Sequence, residues 1–262
     1  MGENAVDADQ IQYEDDQLIV ADVARAVEER ELTAYYQPIL EVAERRVVGA
    51  EALVRYVMFD GTLIPAGLFV PSLDRTDTII GLDWFMAEEA CAFIQKSHHG
   101  GDDVALSLNF SMRHATAGNF AQNLLATLEW HEVTPAQVRI ELDGVALMGA
   151  DETVRAFVES VVDASFAVVA DNCAADKEGL ATLQDLGVNR VKLGRKFWSV
   201  QDDAELGEFV REIARRGMVV CAGGIENAEE EARLRNVGVT RMQGFLFAEP
   251  MDSEALEAYR FE

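Results

Sequence analysis

The sequence predicts an α/β protein folded as a closed, TIM-like (β/α)8 barrel whose first two strands form an antiparallel pair. Three observations lead there. The chain has 262 residues, about half of them apolar, which is the usual size of such a barrel and enough for one well-buried core. Short apolar runs alternate with helical patterns at a spacing of roughly 20 to 30 residues. Successive apolar runs also end in a single polar residue, which is how parallel barrel strands collect a site at one mouth. Val47-Val48-Gly49-Ala50 leads to Glu51, Ala105-Leu106-Ser107-Leu108 to Asn109, and Val138-Arg139-Ile140 to Glu141. Phe166 to Ala170 leads to Asp171, Arg190-Val191 to Lys192, Met218 to Ala222 to Gly223, and Arg241-Met242 to Gln243. An open doubly wound sheet shares the alternation, but no Gly-rich phosphate loop follows the first strand.

Each element has its own signal. Residues 1–17 read as an acidic, weakly ordered tail, and 18–262 as one barrel domain. Leu18-Ile19-Val20, Val23 and Val27 mark a helix face ending near Arg30-Glu31. Tyr35 to Leu40 is a strand, and only Glu41 to Arg46 separates it from the next. That is too short for a parallel crossover, so the two strands must form a hairpin. Tyr56 to Pro71, with Asp60-Gly61 and two prolines, reads as a loop. Ile79 to Lys96 is helical, with Trp84, Phe85, Ala90 and Phe93 as core candidates. Helices then follow each strand in turn: Phe120 to Trp130, Glu152 to Asp163, Lys177 to Leu186, Asp203 to Arg216, and Ala228 to Asn236. A last strand, Met242 to Phe247, precedes a short helix from Ser253.

Formal net charge is −25. That opposes binding of long nucleic acid, which depends on neutralising phosphates. It leaves room for a small phosphate ligand held by a metal or a local cation. Cys91, Cys173 and Cys221 have neither disulfide-framework nor zinc-ligand spacing. The four histidines fall mostly in loop-like contexts and are not read as metal ligands. No apolar run is long enough to cross a membrane, and the acidic N-terminus carries no signal region, so the expected location is cytoplasmic.

The motifs, taken in order, resemble an EAL domain, the cyclic di-GMP phosphodiesterase family of bacteria. Tyr36-Gln37-Pro38-Ile39 is similar to the family's opening YQPI, and Glu51-Ala52-Leu53-Val54-Arg55 to its namesake motif. Leu106 to Ser111 resembles its asparagine strand, Val191-Lys192-Leu193 its lysine strand, and Gln243-Gly244-Phe245-Leu246-Phe247 its closing QGY/F motif. The resemblance implies two Mg2+ or Mn2+ ions over one phosphodiester, a metal-activated water, and linear pGpG as product. It implies first-metal ligands at Glu51, Asn109, Glu141 and Asp171, a catalytic lysine at Lys192, and ligand-contacting positions at Gln37, Leu53, Arg55 and Gln243.

The departures from the family pattern fall in the same region. Its paired aspartates are Asp171-Asn172, and the first glutamate of its AEGVE is Gly223. Its ExxE is Glu141-Leu142-Asp143-Gly144, and its Gly-rich loop ending in Tyr-Ser-Ser is Cys173 to Gly179. The loop at Pro65 to Pro71 is one residue longer than the family's PAEFIP. Two dications in one site need several carboxylates, and the losses at Asn172 and Gly223 fall on the second ion, so at most one Mg2+ or Mn2+ is expected. Three readings stay open: a catalytically impaired cyclic di-GMP receptor or regulatory module, a slow metal-dependent phosphodiesterase giving pGpG, and a ligand-free protein-interaction module. A protein partner or a second copy of the chain is compatible with each.

Overall fold

The computed structural model describes residues 21–29, 31–58, 60–97, 105–174 and 177–259. The acidic tail, the boundary at residue 18, Leu18-Ile19-Val20, Arg30, two of the four histidines (His98 and His99) and Ala175-Asp176 lie outside them. Residues 21–29 form helix α1, with Val23 and Ala26 buried.

Among the described residues nine strands form one sheet. They are β1 (Leu32–Glu41), β2 (Arg46–Val57), β3 (Leu63–Pro65), β4 (Ala105–Asn109), β5 (Val138–Asp143), β6 (Ala167–Asp171), β7 (Arg190–Leu193), β8 (Val219–Ala222) and β9 (Arg241–Met242). All but β3 close a ring. From β2 through β4 to β9 the ring neighbours are parallel. β1 runs antiparallel to both β2 and β9 and so closes the barrel. The expected hairpin is therefore present, and its short turn is what forces the reversed strand. The helices that follow are α2 (Val70–Leu73), α3 (Thr78–Lys96), α4 (His114–Ala117), α5 (Phe120–Trp130), α6 (Gly144–Met148) and α7 (Glu152–Asp163). They continue with α8 (Lys177–Asp185), α9 (Arg195–Trp198), α10 (Asp203–Arg215), α11 (Ala228–Asn236) and α12 (Ser253–Ala258). Phe85 and Ala90 of α3 are buried, while Trp84 and Phe93 are half-buried against the same core. No helix among the described residues is long and apolar enough to cross a membrane.

Two stretches differ from the sequence expectation. Tyr56 to Pro71 is not simply a loop: β2 runs on to Val57, β3 pairs back onto it outside the ring, and a 3-10 turn (Ala66–Leu68) leads into α2. Asp60 fixes the intervening turn by accepting from Thr62 N at 2.9 Å. The last strand is Arg241–Met242 rather than Met242 to Phe247. Past Gln243 the chain turns on Gly244, whose carbonyl accepts from Phe247 and Ala248. A Cβ on Gly244 would lie 2.1 Å from the Ile225 carbonyl oxygen, so glycine is what permits this close approach.

Strand alternation sorts the barrel interior into layers. The outer faces (Leu106, Leu108, Ile140, Val168, Val191, Val220) pack against the helices and are buried. Inward, the upper layer is Gln37, Glu51, Asn109, Glu141, Asp171, Lys192, Gly223 and Gln243. One step below come Ile39, Gly49, Ser107, Arg139, Val169, Arg190, Cys221 and Arg241. Polar groups in both layers are buried, among them Glu51, Ser107, Arg139, Glu141, Lys192 and Gln243. In the lower layer, burial together with neighbouring Arg190 and Arg241 pushes Arg139 down to about 10.

Candidate functional site

The upper layer sits at the C-terminal ends of the parallel strands. Register places Gln37 opposite Glu51, Asn109 opposite Glu141, and Asp143 opposite Asp171. The Lys192 ammonium is at the centre, 2.7 Å from Glu51 Oε2, 2.8 Å from Glu141 Oε2 and 3.8 Å from Asp171 Oδ1. Glu51 also accepts from Asn109 Nδ2 at 2.8 Å and from Gln243 Nε2 at 2.8 Å. Gln243 Nε2 donates to Gln37 Oε1 as well, and Gln37 Nε2 donates to the Ala248 carbonyl. One hydrogen-bonded chain thus runs from the closing loop across the mouth to Glu141.

Electrostatics separate the two glutamates although each meets Lys192 at nearly the same distance. Burial disfavours ionising Glu51, but the Lys192 charge and three donated hydrogen bonds outweigh it and hold its carboxyl below the usual range. Among the described residues Glu141 has the Lys192 hydrogen bond alone, so burial, reinforced by Glu51 and Asp171, raises it to about 7. Burial raises Asp171 too. Burial would lower Lys192, but Glu141, Glu51 and Asp171 prevail, and the lysine is held charged. Against three carboxylates, one ammonium leaves the fully ionised cluster short of two positive charges.

That arrangement bears on a metal. No group of three or more His, Cys, Asp or Glu is poised to hold an ion among the described residues, and the Lys192 ammonium lies among the three carboxylates. The donor chemistry is nonetheless three carboxylates and one amide oxygen. Such an all-oxygen set suits one hard divalent cation once the ammonium withdraws. A second ion finds less. Asn172 directs Nδ2 at Asp171 Oδ2, 2.9 Å away, and so presents a donor where an ion needs an acceptor. Gly223 has no side chain, and a Cβ there would meet only Lys192 Cε at 3.6 Å and Leu193 O at 3.9 Å.

Two recesses share Glu51. The mouth itself, about 210 Å³, is walled by Gln37, Asp171, Asn172, Lys192, Gly223 and Gln243. Beside it an apolar-walled recess of about 320 Å³ lies between Leu53, Ala66, Val70, Leu82 and Met86, with Asn109 at its edge. The structure therefore gathers Gln37, Glu51, Asn109, Glu141, Asp171, Asn172, Lys192, Gly223 and Gln243 in one place. Leu53 is two residues further out on the same face, in the apolar recess. Arg55 is further still: it donates to the Val54 carbonyl and lies 5.6 Å over the Tyr35 ring.

Several participants carried no clear sequence signal. Gly194 is needed for space, since a Cβ there would stand 2.6 Å from Asn172 Oδ1. Its neighbour Asn172, which the motif comparison singles out, has φ +50°, a left-handed conformation that Asn and Asp tolerate better than most residues. Trp198, fully buried, donates Nε1 to the Gly223 carbonyl at 2.9 Å and so pins the end of β8. His114 is not in a loop: it opens the short helix α4 and is buried with Nε2 3.0 Å from Asp83 Oδ2. Asp83 also accepts from Ser111 N, which ties α3 to the segment after Asn109.

The EAL domain model matches residues 20–250. The chain belongs to the EAL domain family. Among curated relatives, the signaling protein YkoW of Bacillus subtilis is 26% identical over 242 residues, covering 90% of this chain and 30% of its own length. The bifunctional diguanylate cyclase/cyclic di-GMP phosphodiesterase MucR of Pseudomonas aeruginosa is 25% identical over 247 residues, covering 92% and 36%. The chain thus spans about a third of the length of these two relatives. Among solved EAL structures, the MucR phosphodiesterase in complex with c-di-GMP superposes with a TM-score of 0.82 at 24% identity, covering 91% of this chain and 99% of that one. The EAL domain of FimX from Pseudomonas aeruginosa, bound to c-di-GMP, superposes with a TM-score of 0.78 at 15% identity, covering 93% and 98%. At these identities the superpositions establish the fold alone, and the antiparallel first strand is observed in this chain itself.

Proposed function

We propose that this EAL domain is a catalytically impaired cyclic di-GMP receptor or regulatory module. The observation that carries the reading is the pair Asn172 and Gly223. Both lie on the mouth, and both lack the carboxylate a second ion would require. Glu51, Asn109, Glu141 and Asp171 would hold a single Mg2+ or Mn2+ once the Lys192 ammonium withdraws from Glu51 and Glu141. A bound ion supplies Lewis-acid polarisation of a phosphate oxygen. Asn172 and Gly223 offer no carboxylate that would help hold a second ion or aim an attacking water. Gln37 and Gln243 orient Glu51, and the apolar recess at Leu53 is large enough for one base of the dinucleotide.

The test is calorimetric titration with cyclic di-GMP, with and without Mn2+, alongside chromatography for pGpG. Saturable binding with little or no pGpG is expected. Absence of binding under both conditions would remove the receptor reading and leave a ligand-free protein-interaction module. Rapid metal-dependent release of pGpG would remove the impairment. The converging Glu51, Asn109, Glu141, Asp171 and Lys192 favour a second reading, a slow phosphodiesterase giving pGpG, which the same chromatogram reports.

A further inference from the structure

The interior layer below the mouth carries three arginines, Arg139, Arg190 and Arg241, near the N-terminal ends of β5, β7 and β9. They line one recess with Ile39, Ser107 and Cys221. Barrel interiors at this depth are ordinarily filled by branched apolar side chains. Among the described residues one carboxylate pairs with the trio, Glu41, 3.2 Å from Arg241 Nε. Three guanidiniums and one carboxylate leave a surplus of two positive charges, in a chain of net charge −25.

The donors there are only partly used. Arg139, nine-tenths buried, gives Nη2 to the Val48 carbonyl at 2.9 Å. Its other nitrogen stands 2.6 Å from where a Gly49 Cβ would be, so glycine clears the space for the guanidinium. Among the described residues, Arg190 Nε is buried with no hydrogen-bond partner, and so is Ser107 Oγ. Buried polar groups in folded proteins nearly always have partners. Two orphaned groups on one positively charged recess point to a missing acceptor. On its inner side the recess is closed by Glu141, already engaged by Lys192 at 2.8 Å.

We propose that this recess, at the opposite end of the barrel from the mouth, binds a compact oxyanion of the orthophosphate class, with Arg190 and Ser107 as donors and Arg139 supplying charge. Free space is about 30 Å³, where one water-sized particle needs about 10–15 Å³. That is room for about two oxygen-sized atoms, so the remaining oxygens of a bound anion would stand outside it. Planar guanidinium N–H pairs match that oxygen geometry better than they match a spherical halide. None of these donors belongs to the mouth, so cyclic di-GMP binding has no part in the proposal.

The experiment is titration of the full chain with sodium phosphate in chelator-treated, metal-free buffer, at ionic strength held constant with sodium chloride. Calorimetry and thermal melting are read together. A saturable one-to-one isotherm is expected, with the melting temperature rising by roughly 5 °C or more at a hundredfold excess over Kd. Arg190→Met should abolish both signals. If that variant does not fold, Arg190→Lys, which keeps the charge and loses the planar fork, should weaken phosphate binding at least tenfold. Gly223→Glu, which puts a carboxylate into the mouth, should leave phosphate affinity unchanged. No saturable heat with the wild-type chain, an equal shift from chloride, undiminished affinity in the Arg190 variants, or loss of binding in Gly223→Glu would each overturn the proposal.

Discussion

Placing carboxylates at 172 and 223 is the sharpest test of the proposed single-ion mouth, and the structure says what each change meets. Asn172→Asp leaves the volume and the φ of +50° almost untouched. It does replace the Nδ2 donor, 2.9 Å from Asp171 Oδ2, by an acceptor. Without metal the variant loses that hydrogen bond and sets two carboxylates side by side. The cost is roughly 1 kcal/mol for a partly exposed bond, or about 2–4 °C in melting temperature for a domain of this size. An added cation should reverse it. Gly223→Glu carries no backbone penalty, because the left-handed residue is its neighbour Gly224, at φ +78°. The new Cβ sits in ordinary contact with Lys192 Cε at 3.6 Å.

Each single variant still lacks one second-ion ligand, so the two changes should be strongly non-additive. The full second-ion contribution is on the order of 10³-fold in rate, and the double variant should recover only part of it. Gly144 is the reason. A side chain there would stand 2.7 Å from the Asp171 carbonyl oxygen and 3.2 Å from Cys173 Cα, so that departure is locked in by backbone. The assays are thermal melting in chelator and in Mn2+, and chromatographic pGpG release by both single variants and the double. Turnover confined to the double variant is expected. A folded double variant that binds two ions and cyclic di-GMP yet stays inert would refute the reasoning and shift the defect to the loops at Gly144 and Cys173 to Gly179.

Further outcomes follow from the same geometry. Lys192→Met strips the counter-charge from two buried glutamates, so it should cost about 3–5 kcal/mol in chelator, read by urea denaturation, with much of the loss recovered in Mn2+ if the carboxylates hold an ion. Metal analysis of the wild-type chain equilibrated with Mn2+ and desalted should give at most one ion per chain; two tightly held ions would contradict a single-ion mouth. Gly244→Ala forces a Cβ onto the Ile225 backbone at 2.1 Å, so it should destabilise by more than about 4 kcal/mol and lower the urea midpoint sharply. A Gly244→Ala chain of wild-type stability would show that the closing turn is not held by that contact.

How much of this was readable beforehand depends on the kind of signal. The polar residue ending each strand was legible because a parallel barrel must put strand ends at one mouth, and all of Glu51, Asn109, Glu141, Asp171, Lys192 and Gln243 arrive there. The reversed β1 was legible because a turn of so few residues cannot cross the barrel. The β3 strand, the 3-10 turn and α2 were not, since elements this short carry too few residues for any periodicity. The shortened last strand was misread for a related reason. Gln243-Gly244-Phe245-Leu246-Phe247 is apolar and aromatic like a strand, but the Gly244–Ile225 approach, a tertiary contact, bends it out of the sheet. Leu53 and Arg55 share the face of Glu51 by alternation, yet alternation says nothing of height above the site, and Arg55 turns to Tyr35 instead.

Asp171, Asn172, Lys192, Gly194 and Gly223 pack as one unit at the mouth. Asn172 reaches over Gly194 so closely that neither position can be altered without regard to the other: any side chain at 194 would displace the amide. That amide holds Asp171, which lies 3.8 Å from Lys192, and Lys192 in turn lies under the empty place at Gly223. With no side chain at 223 and an amide at 172, the lysine is the one cation among the described residues that reaches all three acids. A metal entering this site must therefore displace an ammonium already bonded to Glu51 and Glu141, which weakens its apparent affinity relative to the same ligands left bare. The consequence is measurable as competition: Lys192→Gln should bind Mn2+ more tightly than the wild-type chain. Unchanged or weaker Mn2+ binding in that variant would mean that the lysine does not hold the site closed, and the limit of one ion would then follow from Asn172 and Gly223 alone.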